Sequence, residues 1–347
     1  MVDCIVYMAD HEPMRVAIVT SFTSDYELGW MCSPVNRLYC ERHGYTFLCH
    51  VVDKDPANDE RHPTWNKISL IRNLLEGLLT GSSASSELQV PGGTTHIFWI
   101  DADAAVVRQE ISVEDLWRDL PQSTQMLIGE DVTPCCLINA GVFCIRVSEW
   151  TLKLFRDIWQ SPASRKFYNC RYHEQSALLR QLERRGEGLE LVKQPFHSYA
   201  GGHAALKVFP HVCVTPRRRL NSNRCDIRSA AVIEAARAPG DSAIREEDAC
   251  DFIFHAAGHP ILRCIGAAGT AILWKPPKKV AMQAVFAHFG LGGFGAETSP
   301  NSAPSRQESL VPAAAPNSNC NPVLAPSRVR QPPPRSWSSR FPGRIAN

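Results

Sequence analysis

The chain has 347 residues, of which 44% are hydrophobic and 21% charged, a composition typical of a globular protein with one large domain or two small ones. A formal net charge of +2 excludes the strongly basic balance of most nucleic-acid-binding proteins. No stretch reaches the roughly 18 apolar residues that span a bilayer, and the first residues lack the basic start and apolar core of a secretory signal.

Two kinds of apolar periodicity alternate along the chain. Strand-like runs rich in β-branched and aromatic residues occur at 15–22, 46–52, 96–100, 125–129, 138–147 and 212–214. Helical spacing fills most gaps, in a segment that ends at Gly44, in 65–79, in 148–159, which begins with Ser148 as a cap, and in 173–185. This order predicts an α/β fold with a mainly parallel sheet flanked by helices, in which ligands bind at the carboxyl ends of the strands.

The composition changes near the C-terminus. From Glu297 onward the chain holds 10 of its 25 prolines and shows no periodic apolar pattern, so we expect a disordered tail at 297–347. The remaining divisions are an N-terminal extension at 1–14, one α/β domain at 15–280 and a linker at 281–296.

Two carboxylates follow the strand-like run HIFWI. Asp101 and Asp103 have apolar neighbours on both sides, where an uncompensated charge is costly, so the pair indicates a bound cation. Hard oxygen ligands favour Mg²⁺ or Mn²⁺. A rival pair, Asp53 and Asp55, precedes Pro56 and Asn58 in a stretch typical of a hydrated turn.

Eight short sequence stretches between Arg15 and Gly258 occur in an order that resembles glycosyltransferase family 34, which includes galactosyl-, mannosyl- and xyloglucan xylosyltransferases. They are VAIVTSF, RHGYTF, HPTWNKISLIRNLL, FWIDADAAV, INAGVFCIRVSEW, HEQSALL, VTPRRRLNSN and FIFHAAG. The resemblance implies a GT-A type, Rossmann-like fold. It also implies retaining transfer of a hexose or pentose from a nucleotide sugar (UDP-galactose, UDP-xylose or GDP-mannose) to a glycan hydroxyl.

The same resemblance implies specific site residues. Mn²⁺, or Mg²⁺, is expected to be held by Asp101, Asp103 and His255. The nucleotide-sugar donor is expected to contact residues at the ends of the first strand and of later strands, namely Thr20, Ser21, Phe22, Lys67, Asp101, Gly141 and Gly258.

Three further residues are expected beside the transferred sugar. Asn139 brings an amide to a strand end, and Glu174 and Gln175 match the acid–glutamine pair that lies beneath the sugar in the family. Because the carbonyl dipole of Gln175 can stabilise a cation without covalent chemistry, same-face attack is favoured over a covalent intermediate on Glu174.

The sequence departs from the family in three ways, one of which is the unusually arginine-rich run RRRLNSN. His259 and Pro260 follow Gly258 where relatives often carry a basic residue, and Arg263 is the nearest positive charge in that part of the sequence. Family resemblance implies a Golgi membrane protein, but no anchor segment is visible. The sequence makes no prediction of oligomeric state.

Two alternatives remain open. One is an inverting transferase of the same fold, with Glu130 or Asp131 as general base. The other is a non-catalytic sugar- or nucleotide-binding module. Release of nucleoside diphosphate separates the second from an enzyme, and the anomeric form of the product separates the first from a retaining transferase.

Overall fold

The structure is a computed structural model that describes residues 13–52, 60–81, 88–131, 137–188, 206–227, 252–257, 260–265 and 271–294. The predicted tail at 297–347 and most of the predicted N-terminal extension lie outside these ranges. The described strands, in chain order, are β1 (Val16–Thr23), β2 (Thr46–Val52), β3 (His96–Ile100), β4 (Ala104–Val106), β5 (Met126–Glu130), β6 (Ile138–Arg146), β7 (Lys207–Val208), β8 (Val212–Thr215), β9 (Arg224–Ile227), β10 (Ile253–His255), β11 (Ile261–Ile265) and β12 (Ala271–Trp274).

Within the described residues, seven strands form a central sheet in the order β2-β1-β3-β6-β5-β8-β7. Five of them run in one direction, while β6 and β7 run against it. The sheet is therefore mixed but mainly parallel, which confirms the predicted fold class. β2 and β3 lie on opposite sides of β1, so the chain changes direction across the sheet between β1 and β3. α/β proteins bind ligands at the carboxyl ends of strands at such a point.

Helices cover both faces of this sheet, as the alternating strands and helices predicted. The described helices are α1 (Glu27–His43), α2 (Asn66–Thr80), α3 (Val113–Trp117), α4 (Glu149–Gln160), α5 (His173–Arg184), α6 (Arg217–Leu220) and α7 (Lys278–His288). Val19 of β1 packs with α2, α4 and α5 on one face, and Ile18 packs with α1 and α3 on the other. None of the described helices is long and apolar enough to cross a membrane.

Two helix ends form as their residues predicted. Gly44 ends α1 in the left-handed conformation (φ 71°), where a residue without a Cβ avoids strain. Ser148 begins α4 with a capping box, in which its hydroxyl accepts from the Thr151 N–H and the Thr151 hydroxyl accepts from the Ser148 N–H.

Two small sheets lie beside the central one. β4 pairs antiparallel with β10, and β9, β11 and β12 form a three-stranded sheet. These five strands are three to five residues long, too short to produce a clear periodic pattern in the sequence. The β4–β10 pair matters most, since it joins the segment after Asp103 to the segment that ends at His255.

The predicted linker at 281–296 is wrong. Residues 278–288 form α7, whose side chains Ala281, Met282, Val285 and Phe286 are fully or almost fully buried against α1 and β10. A spacing of four residues, from Ala281 to Val285 and from Met282 to Phe286, places these apolar side chains on one face of the helix. The domain therefore extends beyond residue 280.

A chain that ends at residue 277 should unfold at a much lower temperature than a chain that ends at residue 296. The shorter chain loses Met282, Val285 and Phe286, and each buried side chain of this size contributes about 1.5–3 kcal/mol. Melting curves of the two truncated proteins and the full chain test this expectation. Equal melting temperatures would show that α7 adds nothing to the core.

A second prediction concerns acid stability. His96, at the start of β3, is buried with its ring against Trp117, and burial lowers the pKa of His96 to about 4, with Arg146 adding to the effect. The unfolded chain binds a proton near pH 6.5 and the folded chain does not, so stability falls as the pH falls from about 6.5 towards 4. At pH 5 the loss from this residue is about 2 kcal/mol.

Urea unfolding of wild type and His96→Phe at pH 7 and pH 5 measures this contribution. The variant should lose less stability than wild type between the two pH values. The same pH dependence in both proteins would contradict the assignment.

Candidate functional site

Three residues that the sequence predicted as metal ligands lie together in the structure. Asp101 follows β3, Asp103 precedes β4, and His255 ends β10, and one ligand atom from each lies within 4.8 Å of the others. Strand pairing explains how residues so far apart in sequence meet. His255 is opposite Ala104 in the β4–β10 ladder, and the Ala256 N–H donates to the Asp103 carbonyl at 2.9 Å.

Gly141 of β6 leaves the space that this cluster occupies. A Cβ at this position would lie 2.2 Å from Cε1 of His255 and 3.0 Å from Oδ2 of Asp101. The Asp101 N–H donates to the Gly141 carbonyl at 2.7 Å, which holds the backbone of β6 close to the acid. The ladder between β5 and β6 is also irregular here, since Ile128 pairs with Phe143 while Gly129 pairs with Asn139. A glycine is thus required here for close approach.

The two aspartates have different environments. Asp101 accepts from Lys67 Nζ at 2.8 Å and from Trp99 Nε1 at 2.7 Å. Asp103 faces His255 Nε2 at 3.2 Å and accepts from Lys278 Nζ at 2.8 Å. Burial raises the pKa of Asp103, but His255 and Lys278 outweigh it and hold that pKa far below the usual range. Asp103 is therefore ionised at neutral pH.

Lys67 links the acid cluster to Glu174. Its ammonium lies 2.8 Å from Oδ1 of Asp101 and 3.1 Å from Oε1 of Glu174, and it donates to the Ala140 carbonyl at 3.0 Å. Burial lowers the pKa of Lys67, but the two acids outweigh it and hold that pKa above its ordinary value. Removing one partner from a buried ion pair costs about 3–5 kcal/mol, so these three side chains depend on one another.

Glu174 enters the site from an unusual helix start. The chain reaches α5 through Tyr172 and His173, two non-glycine residues with positive φ angles of 66° and 33°. His173 stacks on His62, with ring centroids 3.8 Å apart and planes at 5°. Such backbone conformations cost about 1–3 kcal/mol each and persist where the surroundings hold them. Here they direct the first turn of α5, with Glu174 and Gln175, into the interior.

Asn139 and Gln175 belong to a buried network around Asp131. Both side-chain amides donate to Oδ2 of Asp131 at 2.9 Å. Their carbonyl oxygens are also engaged, since Asn139 accepts from the Gly141 N–H at 2.8 Å and Gln175 accepts from the Ala140 N–H at 2.9 Å. The network fixes both amides and ties them to the start of β6. Asp131, which the sequence offered only as an alternative base, is thus at the centre of it.

The predicted nucleotide-binding residues of β1 lie beside these strands. β1 runs parallel to β3, with Val19 opposite Trp99, so their carboxyl ends share one edge of the sheet. Thr20 is buried, and its hydroxyl has no hydrogen-bond partner among the residues that the structure describes, whereas the Ser21 hydroxyl is 3.3 Å from Nδ1 of His50. Phe22 packs edge-on against Trp30. Gly258 and the rival acids Asp53 and Asp55 lie outside the described residues.

Two residues beside Asp103 were missed by the sequence reasoning. Lys278 is the first residue of α7, and its ammonium lies 2.8 Å from Oδ2 of Asp103. From the sequence, only Arg263 was named as a positive charge in this part of the chain. Tyr26 precedes α1, and burial, followed by the charge of Asp103 and a hydrogen bond to it, raises the pKa of Tyr26. Two adjacent lysines, Lys278 and Lys279, begin the amphipathic segment of α7, and this pattern in the sequence could have pointed to Lys278.

The cluster fits a divalent cation. Two carboxylates and an imidazole offer the oxygen and nitrogen ligands that Mn²⁺ accepts, and the missing Cβ of Gly141 lets His255 and Asp101 come together. The side chain of Asp101 remains 28% exposed, which leaves an approach from solvent. These residues therefore form a possible metal site at the carboxyl end of β3.

The sequence matches no model of a known protein family and no curated protein. Solved structures with some similarity of fold include a glycosyltransferase involved in the glycosylation of the major capsid of PBCV-1, at 13% identity and a TM-score of 0.46 over 79% of this chain and 99% of that one. Mouse xyloside xylosyltransferase 1 is similar at 9% identity and a TM-score of 0.33, over 70% of this chain and 98% of that one. A Drosophila β-1,4-galactosyltransferase 7 mutant, in complex with manganese, UDP-Gal and xylobiose, is similar at 14% identity and a TM-score of 0.31, over 50% of this chain and 63% of that one.

At these identities and TM-scores, the similarity says nothing about the reaction. The resemblance to glycosyltransferase family 34 stays a prediction from the sequence.

Replacing Gly141 by alanine should weaken Mn²⁺ binding by at least about 10-fold, because the new Cβ displaces His255 and crowds Asp101. Isothermal titration of Mn²⁺ measures the effect. Gly92→Ala is the matched control, since nothing lies within 4 Å of a Cβ at that position. Equal affinities in Gly141→Ala and wild type would exclude a metal site among these three residues.

Proposed function

We propose that the chain is a retaining, metal-dependent glycosyltransferase that moves a hexose or pentose from a nucleotide sugar to a glycan hydroxyl. One observation supports this most. Asp101, Asp103 and His255 meet at the carboxyl end of β3, and Lys67 joins Asp101 to the buried acid Glu174. The side chain of Lys67 thus separates the candidate cation site, which can bind phosphate, from Glu174, an acid that can stabilise charge on a sugar. UDP-galactose, UDP-xylose and GDP-mannose are the proposed donors.

The phosphate end of the donor is assigned to the metal cluster. Asp101, Asp103 and His255 would hold Mn²⁺ or Mg²⁺, and such an ion supplies neutralisation of the charge that develops on the leaving diphosphate. Lys278 adds a positive charge beside Asp103 for the same phosphates. Thr20, Ser21 and Phe22, at the end of β1, are proposed to contact the nucleoside, and Gly258 and Gly141 to border the phosphates and sugar.

The sugar end is assigned to Glu174 and the Asp131 network. Glu174 is 5% exposed and its charge is balanced by Lys67, so it can stabilise positive charge on the sugar ring in a site with little water. Gln175 and Asn139 are held by Asp131 and by the backbone of β6. We therefore assign these two amides mainly to positioning of the sugar and of the β6 segment that carries Gly141.

The reaction follows from this arrangement. The bond between the anomeric carbon and the phosphate oxygen breaks, and the acceptor hydroxyl attacks from the same face. The acceptor proton passes to the departing phosphate oxygen, and a nucleoside diphosphate leaves. Same-face attack suits this site because Glu174 is held by Lys67 and acts through its charge rather than as a nucleophile.

An inverting transfer is the second candidate. The observation in its favour is the place of Asp131, a buried acid within hydrogen-bond distance of both amides assigned to the sugar. Glu130, the other candidate base, has a pKa raised by burial and is paired with Lys207 at 3.3 Å. The anomeric configuration of the product, assigned by NMR, distinguishes the two reactions.

Replacing Glu174 by glutamine should lower nucleotide release by about 100-fold or more and Mn²⁺ affinity far less, because the lost charge acts directly on the sugar and reaches the metal ligand Asp101 only through Lys67. The measurement is release of UDP or GDP from the three proposed donors and UDP-glucose in the presence of Mn²⁺. Glu183→Gln is the control, since Glu183 lies on the same helix and pairs with Arg180 at the surface. Absence of nucleotide release from every donor in wild type would favour a non-catalytic binding module.

A further inference from the structure

The face of His255 that points away from the aspartates has its own partner. Nδ1 of His255 lies 3.2 Å from Oδ1 of Asn221, and both residues are buried, with 4% and 0% of their surfaces exposed. Asn221 directly follows α6 and caps it, with its N–H donating to the Arg217 carbonyl at 2.8 Å. The two segments are also joined by the His255 N–H, which donates to the Ser222 carbonyl at 2.8 Å.

A carbonyl oxygen can only accept a hydrogen bond, so Oδ1 of Asn221 requires the ring proton on Nδ1. In the neutral imidazole this leaves the lone pair on Nε2, which faces Oδ1 of Asp103 at 3.2 Å. Two acceptors at that distance repel unless a proton or a cation lies between them. From this geometry we infer that Asn221 is a positioning residue that fixes His255 as an Nε2 ligand of the metal. The inference rests on the proposed metal site.

Gly129 of β5 provides the space for Asn221. A Cβ on Gly129 would lie 2.2 Å from Nδ2 of Asn221, just as a Cβ on Gly141 would collide with His255. The neighbouring strands β5 and β6 therefore each carry a glycine under one member of the Asn221–His255 pair. Neither glycine has a positive φ angle, so close approach of side chains, and not backbone conformation, accounts for both.

The cost of this arrangement argues against a merely structural role. Nδ2 of Asn221 is buried and has no hydrogen-bond partner in the described part of the chain. An unsatisfied buried donor costs about 1–3 kcal/mol, and an apolar side chain of similar size would avoid that cost. The hydrogen bond to His255 is the interaction that an apolar residue could not replace. Residues that hold the second ring nitrogen of a metal-binding histidine commonly affect metal affinity by about 10- to 100-fold.

The test is Mn²⁺ binding to the full chain, measured by isothermal titration and by the ¹⁴N coupling of Mn²⁺ in pulsed electron paramagnetic resonance. Asn221→Leu removes the acceptor while keeping the size, and should weaken Mn²⁺ by about 10- to 100-fold and reduce the imidazole coupling. Asn221→Asp keeps an acceptor at the same place and should restore the coupling. Gly129→Ala, which displaces Asn221 without changing it, should behave as Asn221→Leu does.

Asn223→Ala is the control, because the Asn223 amide donates to the Ala257 carbonyl and not to the imidazole. Unchanged affinity and coupling in Asn221→Leu, or a loss in Asn221→Asp equal to that in Asn221→Leu, would overturn the inference. Absence of ¹⁴N coupling in wild type would instead overturn the proposed metal site. If melting curves show that Asn221→Leu does not fold, Asn221→Asp and Gly129→Ala decide the question by the same two measurements.

Discussion

The pairing of β10 with β4 is the interaction on which the site depends. Only three residue pairs form this ladder, yet it places His255 opposite Ala104 and beside Asp103. The neighbouring contacts, from Ala256 to Asp103 and from His255 to Ser222, are backbone hydrogen bonds. Since backbone bonds do not depend on side-chain identity, the fold fixes the separation of the acid pair and the histidine before any ligand is bound. A rigid backbone is the kind of support that a precise metal or phosphate site requires.

Charge balance is the second constraint. Asp101, Asp103, Glu174 and Asp131 bring four carboxyl groups to one edge of the sheet. Lys67 pairs with Asp101 and Glu174, and Lys278 pairs with Asp103. Asp131 is stabilised differently, by two amide donors. The buried lysine between Asp101 and Glu174 separates the proposed phosphate end of the site from the proposed sugar end. It also makes the two ends depend on each other, because a change at either acid leaves the same ammonium group with fewer partners.

Local sequence signals predicted much of the fold. Gly44 and Ser148 ended and began helices as their chemistry requires, and the strand-like runs produced a mainly parallel sheet. The predictions failed where tertiary contacts decide the structure. Residues 281–288 of α7 were predicted as part of a linker, whereas their side chains pack against α1, far earlier in the chain, and against β10. The positive φ angle of Tyr172 has no signal in residue type, since a bulky aromatic residue rarely adopts that conformation.

The candidate site likewise contains residues that the sequence predicted and residues that it did not. Asp101, Asp103 and His255 were suggested by short sequence stretches, and the structure brings them together. Lys278, Tyr26 and Asn221 were not identified, because each reaches the cluster through a chain reversal that no local pattern records. The close contacts at Gly129 and Gly141 were equally hidden, since sequence alone does not show which side chain will lie above a glycine.

The ammonium group of Lys278 has a consequence for the order of binding. It lies 2.8 Å from an oxygen of Asp103, so a divalent cation that takes this oxygen meets a positive charge already in place. At the proposed metal site, cation alone would therefore bind against repulsion, whereas cation that arrives with the proposed diphosphate would give the lysine a new anionic partner. The two ligands then assist each other, and thermodynamic linkage makes the assistance equal in both directions. Under the proposed function, the chain would take up metal and nucleotide as one unit, at metal concentrations too low to fill the site with metal alone.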